Sequence, residues 1–488
     1  MADSVRTQQE KTVNILTIPV TNNFPYAELK NYNYDLQEIR LDYSDSPDTD
    51  IERLRNFLPL DPITIVTLRD PAEGGKHPYP FRKKIELYQK LIERFDCMVD
   101  CEISLFQKHR PDLPLQNLIL SRHIKPDADN VEKIVEKTIE QANKLQIRYL
   151  KIILPLTSYA TLAKLKDWSE LSKNPILIAG IGYLGKLSRI LWKISGSAGT
   201  YTALKEFQTA EEQLTPEEYE LYDCQFLDET TIFGGLIGAE QVYDSIGMMY
   251  YNQRLKRIDS RIVYLPFPVK DPEDFLAWLK ELNKETRFFG FSVTMPFKRD
   301  IPRIMKITDR PVNLISVITD NRKQLPFGNE KFFYNTDREA IKRAFDLLMI
   351  RDNDPILIYG SGGVARAFLE EFARLPNLSI SGRNSEKVLK CRDNLKVEYL
   401  PQEKLQDKKF ELIVNATPLG MKNEDFFTAT GSNLPVKMID LPYNERPTQT
   451  VITCQNNDIP CIDGKKFWLL QAKEQEEIFS QNIRKMIQ

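Results

Sequence analysis

The stretch Asp354-Pro-Ile-Leu-Ile-Tyr-Gly-Ser-Gly-Gly-Val-Ala-Arg-Ala-Phe-Leu-Glu-Glu-Phe372 passes from an apolar run through a glycine-rich turn into an amphipathic pattern. The run at 356–359 has the length and character of a buried parallel strand, and Ala365, Phe368, Leu369 and Phe372 recur at helical spacing. Between them Gly360, Gly362 and Ala365 fit G-x-G-x-x-G/A. That spacing supplies a tight turn, a bare backbone for a pyrophosphate and a small residue for helix–strand packing. Gly360, Ser361, Gly362, Gly363 and Val364 would then present free N–H groups of a helix start to phosphate oxygens. A glycine turn kept only for packing is the plainer alternative.

The following strand, at 378–380, leads into Ser381-Gly-Arg383-Asn384. An acid here would hold the ribose 2′-hydroxyl of NAD; Arg383 stands there instead, with Lys387 nearby, and suits a 2′-phosphate. An α/β nucleotide lobe over residues 341–448 with NADP(H) as its ligand is therefore predicted.

The totals bound the rest. A chain of 488 residues is too long for one core. Its 67 Lys+Arg against 69 Asp+Glu offer no excess charge for nucleic acid or an anionic membrane. Six scattered cysteines suggest reduced thiols, hence a cytoplasmic protein, and Cys97 and Cys101 have no second pair to complete a zinc site; no metal is expected. The start Met-Ala-Asp-Ser-Val-Arg lacks a signal-like apolar region, and no apolar run reaches the ~20 residues of a membrane helix. Small-molecule substrates are the expected partners, and the oligomeric state stays open, a monomer being compatible with it.

The first half alternates strand-like runs with helical patterns. The runs lie at 13–20, 36–42, 63–68, 98–103, 118–124, 149–154, 176–181 and 199–204, with helical patterns at 50–58, 83–95, 131–145 and 185–194 among the connections. Eight strands in about 200 residues predict a (β/α)8 barrel. In that fold, polar residues on or after strands are the candidates for chemistry: Glu38, Arg40, Arg69, Glu102, His123 and Lys151. Lys151 interrupts the apolar strand Tyr149-Leu-Lys-Ile-Ile-Leu154, and an amine held out of water there could attack a ketone. Singly, Lys151 reads as a snorkelling side chain and His123 as structural. A carboxylate, an imidazole and an amine on consecutive strands read as a site.

Glu38-Ile-Arg40-Leu-Asp42, Thr67-Leu-Arg69, Glu73-Gly-Gly75, Asp100-Cys-Glu102, Ser121-Arg-His123, Lys151 and Gly182-Tyr-Leu-Gly185-Lys-Leu-Ser-Arg189 resemble the type I 3-dehydroquinate dehydratases in order and spacing. The resemblance implies a barrel at residues 1–227 with Lys151 forming an imine, His123 shuttling a proton and Glu102 orienting His123. It implies that Glu38, Arg40, Arg69 and Arg189 hold the substrate, with Thr209 and Gln213 from a lid. The lid reads Thr209-Ala-Glu-Glu-Gln213 and lacks the family's Pro-Gly turn.

In the second half, Gly290-Phe-Ser-Val-Thr294-Met-Pro-Phe-Lys298, Tyr334-Asn335-Thr-Asp337, Asn415-Ala-Thr417-Pro-Leu-Gly-Met421 and Gly464…Gln471 resemble the shikimate dehydrogenases. This implies a substrate-binding and catalytic lobe at 228–340, the NADP lobe at 341–448, and helices at 449–488 returning to the catalytic lobe. Lys298 and Asp337 would be the catalytic pair, with Ser245, Thr294, Thr319, Asn335, Tyr443 and Gln471 on substrate. Asn415, Thr417, Met421, Leu441 and Gly464 would line the nicotinamide side, and Asn384 would join Arg383 and Lys387 at the ribose end.

Two blocks depart from that family. Its carboxylate-binding Ser-x-Ser-Pro-x-x-His-Asn loop is Ser245-Ile-Gly247-Met-Met-Tyr-Tyr251-Asn252 here, which leaves Ser245 to work with help from Tyr243 or Tyr251; its Gly-Ala-Val-Asn block is taken as Ser316-Val-Ile-Thr319. The expected protein is a bifunctional enzyme of the shikimate pathway, turning 3-dehydroquinate into 3-dehydroshikimate and then shikimate. The alternatives are a weakened or quinate-accepting dehydrogenase half, or a non-catalytic quinate/shikimate sensor.

Overall fold

The computed structural model describes residues 12–61, 63–282, 287–308, 310–317, 332–444 and 446–488. Its chain divides into two compact units, one running to Phe288 and the other from Phe289 onward.

The first unit contains eight parallel strands: β1 Val13–Pro19, β2 Leu36–Arg40, β3 Thr64–Thr67, β4 Met98–Glu102, β5 Leu118–His123, β6 Tyr149–Pro155, β7 Ile176–Ile181 and β8 Gly199–Ala203. Each pairs with its neighbour in sequence from β1 to β7, and β8 returns to pair with β1. The N–H of Ala198 reaches Ile176 O at 2.7 Å, and the N–H of Ile178 reaches Ser197 Oγ at 3.1 Å, so the β7–β8 seam is also tied. The expected barrel is formed, and all eight strands fall where the apolar runs place them.

Side-chain alternation along the strands explains why this barrel carries chemistry. Val13, Ile15, Leu36, Ile65, Met98, Ile119, Tyr149, Leu177 and Tyr201 form one buried apolar cluster. Advancing two residues from members of that cluster keeps the same face of a strand. It gives Thr17, Glu38, Thr67, Asp100, Ser121 and Lys151, a buried polar layer. A further step gives Arg40, Arg69, Glu102 and His123 at the carboxyl ends, where barrel enzymes hold their active sites.

The same unit continues into β9 Ile232–Gly238 and β10 Ile262–Pro268, a parallel pair joined through the helix Ile246–Leu255. The helix Pro272–Leu282 then packs on the barrel helix Tyr159–Leu171. The Tyr159 ring meets Phe275 and Trp278 at centroid distances of 5.0 and 4.8 Å, and Asp274 accepts the N–H groups of Tyr159 and Ala160 at 2.6 and 3.1 Å.

In the second unit β11 Arg287–Val293, β12 Leu314–Ser316 and β13 Phe333–Tyr334 pair antiparallel, β11 with β12 and β12 with β13. A six-stranded parallel sheet follows: β14 Ile356–Tyr359, β15 Leu378–Ser381, β16 Glu398–Tyr399, β17 Leu412–Asn415, β18 Lys437–Asp440 and β19 Cys461–Asp463. Its order, β16-β15-β14-β17-β18-β19, reverses at β14. That is the doubly wound dinucleotide-binding order, whose ligand crevice lies at the switch point. The last helix, Gly464–Ile487, returns to β11 and β12: Gln475 bonds Ser292 Oγ at 2.6 Å, and Asn482 bonds Phe289 O and Ser316 Oγ at 2.8 Å each. No described helix is long and apolar enough to cross a membrane.

Candidate active site

Inside the barrel the Lys151 ammonium lies 3.0 Å from Glu38 Oε1 and 3.3 Å from Asp100 Oδ2, with its Nζ 4.1 Å from the centre of the Tyr201 ring. Glu38 also accepts Thr67 Oγ1–H at 2.9 Å and Thr17 Oγ1–H at 3.4 Å. Asp100 accepts Arg69 and Ser121 at 2.6 Å each. Burial opposes ionisation of Asp100, but Arg69 and Lys151 hold its carboxyl below the usual range. Lys151 is therefore a buried amine set against two carboxylates, and the snorkelling alternative does not apply.

The lid residue Gln213 donates to Thr17 Oγ1 at 2.9 Å, while its Oε1 accepts the Thr209 N–H at 2.8 Å and hydroxyl at 3.2 Å. Thr209 and Gln213 thus join the layer around Glu38 without a Pro-Gly turn. Arg40 is gripped by its neighbour Asp42 through two bonds of 2.8 Å. Arg189 stands outside this network: its guanidinium donates to the carbonyls of Gly180 and Gly185. Among the described residues no carboxylate lies within ion-pair distance of Arg189, and burial pushes it down to about 10. A buried cation without a carboxylate partner is costly to keep charged.

The carboxylate at His123 is Glu73, not Glu102. Glu73 Oε2 accepts the His123 N–H at 2.8 Å and lies 3.7 Å from its Nδ1. Glu102 is drawn elsewhere: Oε2 meets the buried Lys84 ammonium at 2.6 Å and Oε1 the Asp70 N–H at 2.8 Å. Lys84 also donates to Leu68 O at 2.7 Å, so this buried pair clamps both sides of the turn that presents Arg69 and Glu73. Glu73 sits on a loop after β3, where strand alternation gives no signal; only its Gly-Gly turn is visible in the sequence. Burial, Arg69 and Lys151 push the His123 imidazole well below its ordinary range.

In the second unit Lys298 Nζ meets Asp337 Oδ2 at 2.6 Å. Asn313 donates to Asp337 Oδ1 at 3.0 Å and to Gln471 Oε1 at 3.1 Å, and its own Oδ1 accepts the Thr336 N–H at 2.7 Å. Asn335 caps the helix Thr336–Leu347 by accepting the Asp337 N–H at 3.2 Å. Thr294 is half-buried just past β11. Thr319 lies outside the described residues. A side chain that does reach the Lys–Asp pair is Asn313, in Val312-Asn-Leu314.

A cavity of about 1220 Å³ joins this pair to the glycine turn: its walls include Lys298, Asp337, Asn335, Gly362, Gly363 and Tyr443. Ser361, Val364, Lys387, Thr417, Met421 and Leu441 line it as well. A Cβ on Gly362 or Gly363 would meet nothing within 4 Å, so the bare backbone faces open space large enough for a pyrophosphate. Gly360 has φ +140° and lies so close to Ala416 O that a Cβ would sit 2.7 Å from it. The residues present fit a dinucleotide. Arg383 and Asn384 are exposed beyond β15, and Asn384 caps the helix Ser385–Arg392 through the Lys387 N–H at 2.9 Å.

Two predicted lining residues face inward instead. Asn415 is fully buried: it donates to Asp440 Oδ1 at 2.7 Å and accepts the Thr417 hydroxyl at 2.7 Å, so it braces the loop that presents Thr417. Gly464 packs its backbone on Leu441, where a Cβ would lie 2.2 Å from Leu441 O.

In the first unit, Ser245 caps the helix Ile246–Leu255 through the Gly247 N–H at 3.2 Å. Tyr251 is buried against Tyr264, ring centres 4.6 Å apart. Tyr243 does not serve the Ser245 loop: its hydroxyl donates to Tyr183 O at 3.0 Å and accepts the Leu187 N–H at 3.2 Å, both on the barrel. Among the described residues no cluster of three or more His, Cys, Asp or Glu could hold a metal.

Comparison with known proteins follows the same division. The type I 3-dehydroquinase family matches residues 25–224. Over 203 residues the chain is 32% identical to a shikimate dehydrogenase (NADP(+)) of Methanococcus maripaludis, covering 40% of this chain and 71% of the relative. It is 27% identical over 256 residues to the shikimate dehydrogenase (NADP(+)) of Caldicellulosiruptor bescii, covering 50% and 88%. A solved structure of dehydroquinate dehydratase and shikimate dehydrogenase from S. pombe AroM is similar over 97% of this chain and 98% of that one, at 17% identity and a TM-score of 0.39. The chain belongs to the shikimate dehydrogenase (NADP(+)) family and carries, at residues 25–224, a type I 3-dehydroquinase domain.

Proposed function

We propose a bifunctional enzyme that dehydrates 3-dehydroquinate in the barrel and reduces the resulting 3-dehydroshikimate to shikimate in the second half. One observation carries the reading. A single chain holds a buried lysine between two carboxylates in a barrel and a Lys–Asp pair in the same cavity as a glycine-rich turn. A sensor that only bound these ligands would have no use for either arrangement. Residues 1–227, 228–340, 341–448 and 449–488 are the corresponding divisions, and the free cysteines suit a reducing cytoplasm.

In the dehydratase, the Lys151 amine adds to the ring ketone and water leaves, giving an iminium that acidifies the adjacent C–H. Neutral His123 takes that proton, and the C–O bond at the next carbon breaks. The proton passes from His123 to the departing hydroxide as water, and hydrolysis of the imine returns Lys151. Glu73 holds His123 in place, Arg189 takes the carboxylate, and Glu38, Arg40, Arg69, Thr209 and Gln213 hold the ring.

In the reductase, NADPH supplies the hydride. Gly362, Gly363 and Ser361 would hold its pyrophosphate, and Arg383 and Lys387 would take its 2′-phosphate. Lys298 would give a proton to the forming alkoxide, and Asp337, steadied by Asn313, keeps that ammonium aimed. Asn335, Gln471 and Tyr443 would contact the substrate ring.

The test is turnover of 3-dehydroquinate with and without NADPH, with borohydride added in a parallel reaction. Absorbance of the enone should appear without NADPH, and NADPH should be consumed when present. Reduction should fix ligand on Lys151; attachment to another lysine, or full activity of Lys151→Ala, overturns the dehydratase assignment.

A further inference from the structure

We infer that Tyr243, which lies beyond the barrel on the reductase side of the chain, is a positioning residue for the dehydratase. The inference rests on the reading that Arg189 binds the substrate carboxylate.

Arg189 is carried by the short helix Gly185–Ile190, whose N-cap residue Leu184 provides no side-chain cap. The first N–H groups of any helix need outside acceptors. Here the Leu187 N–H finds the Tyr243 phenol oxygen at 3.2 Å, and the same phenol donates to Tyr183 O at 3.0 Å. One hydroxyl thus ties both ends of the turn from Tyr183 to Leu187, which follows Gly182 with its φ of +86°. The Lys186 ammonium, ion-paired with Glu218 at 2.8 Å, lies 5.6 Å from the centre of the Tyr243 ring. The turn is restrained as well by Glu212, which accepts the Gly182 N–H at 2.6 Å, by the Gly185 N–H donating to Gly182 O at 2.7 Å, by Ser188 Oγ donating to Gly185 O at 2.7 Å, and by the Lys270 ammonium 4.5 Å from the centre of the Tyr183 ring.

Arg189 must keep a buried cation aimed while its own bonds go only to Gly180 O and Gly185 O. Gly185 lies within the turn that Tyr243 closes. Loss of the phenol releases the Tyr183 carbonyl and the Leu187 N–H and lets the Gly185 carbonyl shift, so the guanidinium loses its aim. Lys151, Glu38, Asp100 and His123 take no bond from this turn. The effect should therefore fall on substrate capture and spare the bond-breaking steps.

The experiment uses the full chain and measures dehydratase kcat and KM for 3-dehydroquinate in wild type, Tyr243→Phe, Arg189→Ala and the double variant. Tyr243→Phe keeps the ring and its packing. It should raise KM five- to tenfold with kcat within twofold, and should add less than twofold to KM in the Arg189→Ala background. Non-additivity is what a merely structural residue would not give. An unchanged KM in Tyr243→Phe alongside a raised KM in Arg189→Ala overturns the inference. So do equal KM ratios in the two backgrounds, or a fall in kcat with KM unchanged. If Arg189→Ala itself leaves KM unchanged, the underlying reading of Arg189 fails, and the inference with it. Should Tyr243→Phe fold poorly, Tyr243→Trp, also without the phenol, faces the same criteria.

Discussion

Glu73 and His123, fifty residues apart in the chain, are joined at 2.8 Å through the backbone N–H of the histidine, with the carboxylate 3.7 Å from its Nδ1. The imidazole is half-buried, and desolvation together with the cations Arg69 and Lys151 keeps it neutral well below its ordinary titration range. A base is competent when neutral, so dehydratase kcat/KM should persist as pH falls through about 6.5 and decline only below it. The same depressed value means that the unfolded chain binds a proton there which the folded one refuses. Stability should accordingly fall as pH drops below about 6.5. Glu73→Gln should lower kcat roughly 10- to 100-fold while borohydride still fixes substrate on Lys151. A variant that loses trapping and turnover together would place Glu73 at imine formation instead.

The Lys84–Glu102 pair should matter through stability. Both side chains are buried and meet at 2.6 Å. Removing one partner strands a buried charge, so Lys84→Met or Glu102→Gln should each cost about 3–5 kcal/mol in urea unfolding. Lys84→Met combined with Glu102→Gln should cost less than the two losses summed. Strict additivity would show that the two groups do not sustain each other.

Arg383 should set the choice between cofactors. It is exposed at the end of β15, where a guanidinium can take a 2′-phosphate through two parallel hydrogen bonds. Arg383→Ala should weaken NADPH roughly tenfold or more, the share of a charge-assisted bond, and leave NADH within about twofold. Fluorescence titration of the two nucleotides decides it, and equal losses for both would remove Arg383 from that role.

Asp440 lies at the end of β18, fully buried, accepting Thr448 Oγ1–H at 2.6 Å and Asn415 Nδ2–H at 2.7 Å. Burial outweighs those bonds and pushes its carboxyl up to about 6. The folded chain therefore holds a proton between roughly pH 4 and 6 that the unfolded chain has released, so this residue's contribution to stability declines as pH rises through that window. The full penalty, on the order of 3 kcal/mol, applies above pH 6. Asp440→Asn should flatten the pH dependence of the unfolding midpoint between pH 4 and 7. An unchanged slope would show that Asp440 titrates normally.

Much of this protein is written locally in its sequence. The two-residue period of a strand puts Glu38, Asp100, His123 and Lys151 on one face of β2, β4, β5 and β6 before any partner is known. The strand–glycine turn–helix at 354–372 likewise states a nucleotide lobe, because strand period, helix period and the conformational freedom of Gly360 are properties of adjacent residues. Tertiary structure alone decided which groups meet. Glu73 and not Glu102 reached His123, because Lys84 on the next helix claimed Glu102. Asn313 reached Asp337 across 24 residues, and Asn415 turned into the sheet toward Asp440 across 25. Tyr243 left its own loop for a barrel turn 56 residues upstream. A side chain's hydrogen-bond capacity is set by its type, but its partner is set by which backbone segments packing brings within about 3 Å, and no local pattern records that.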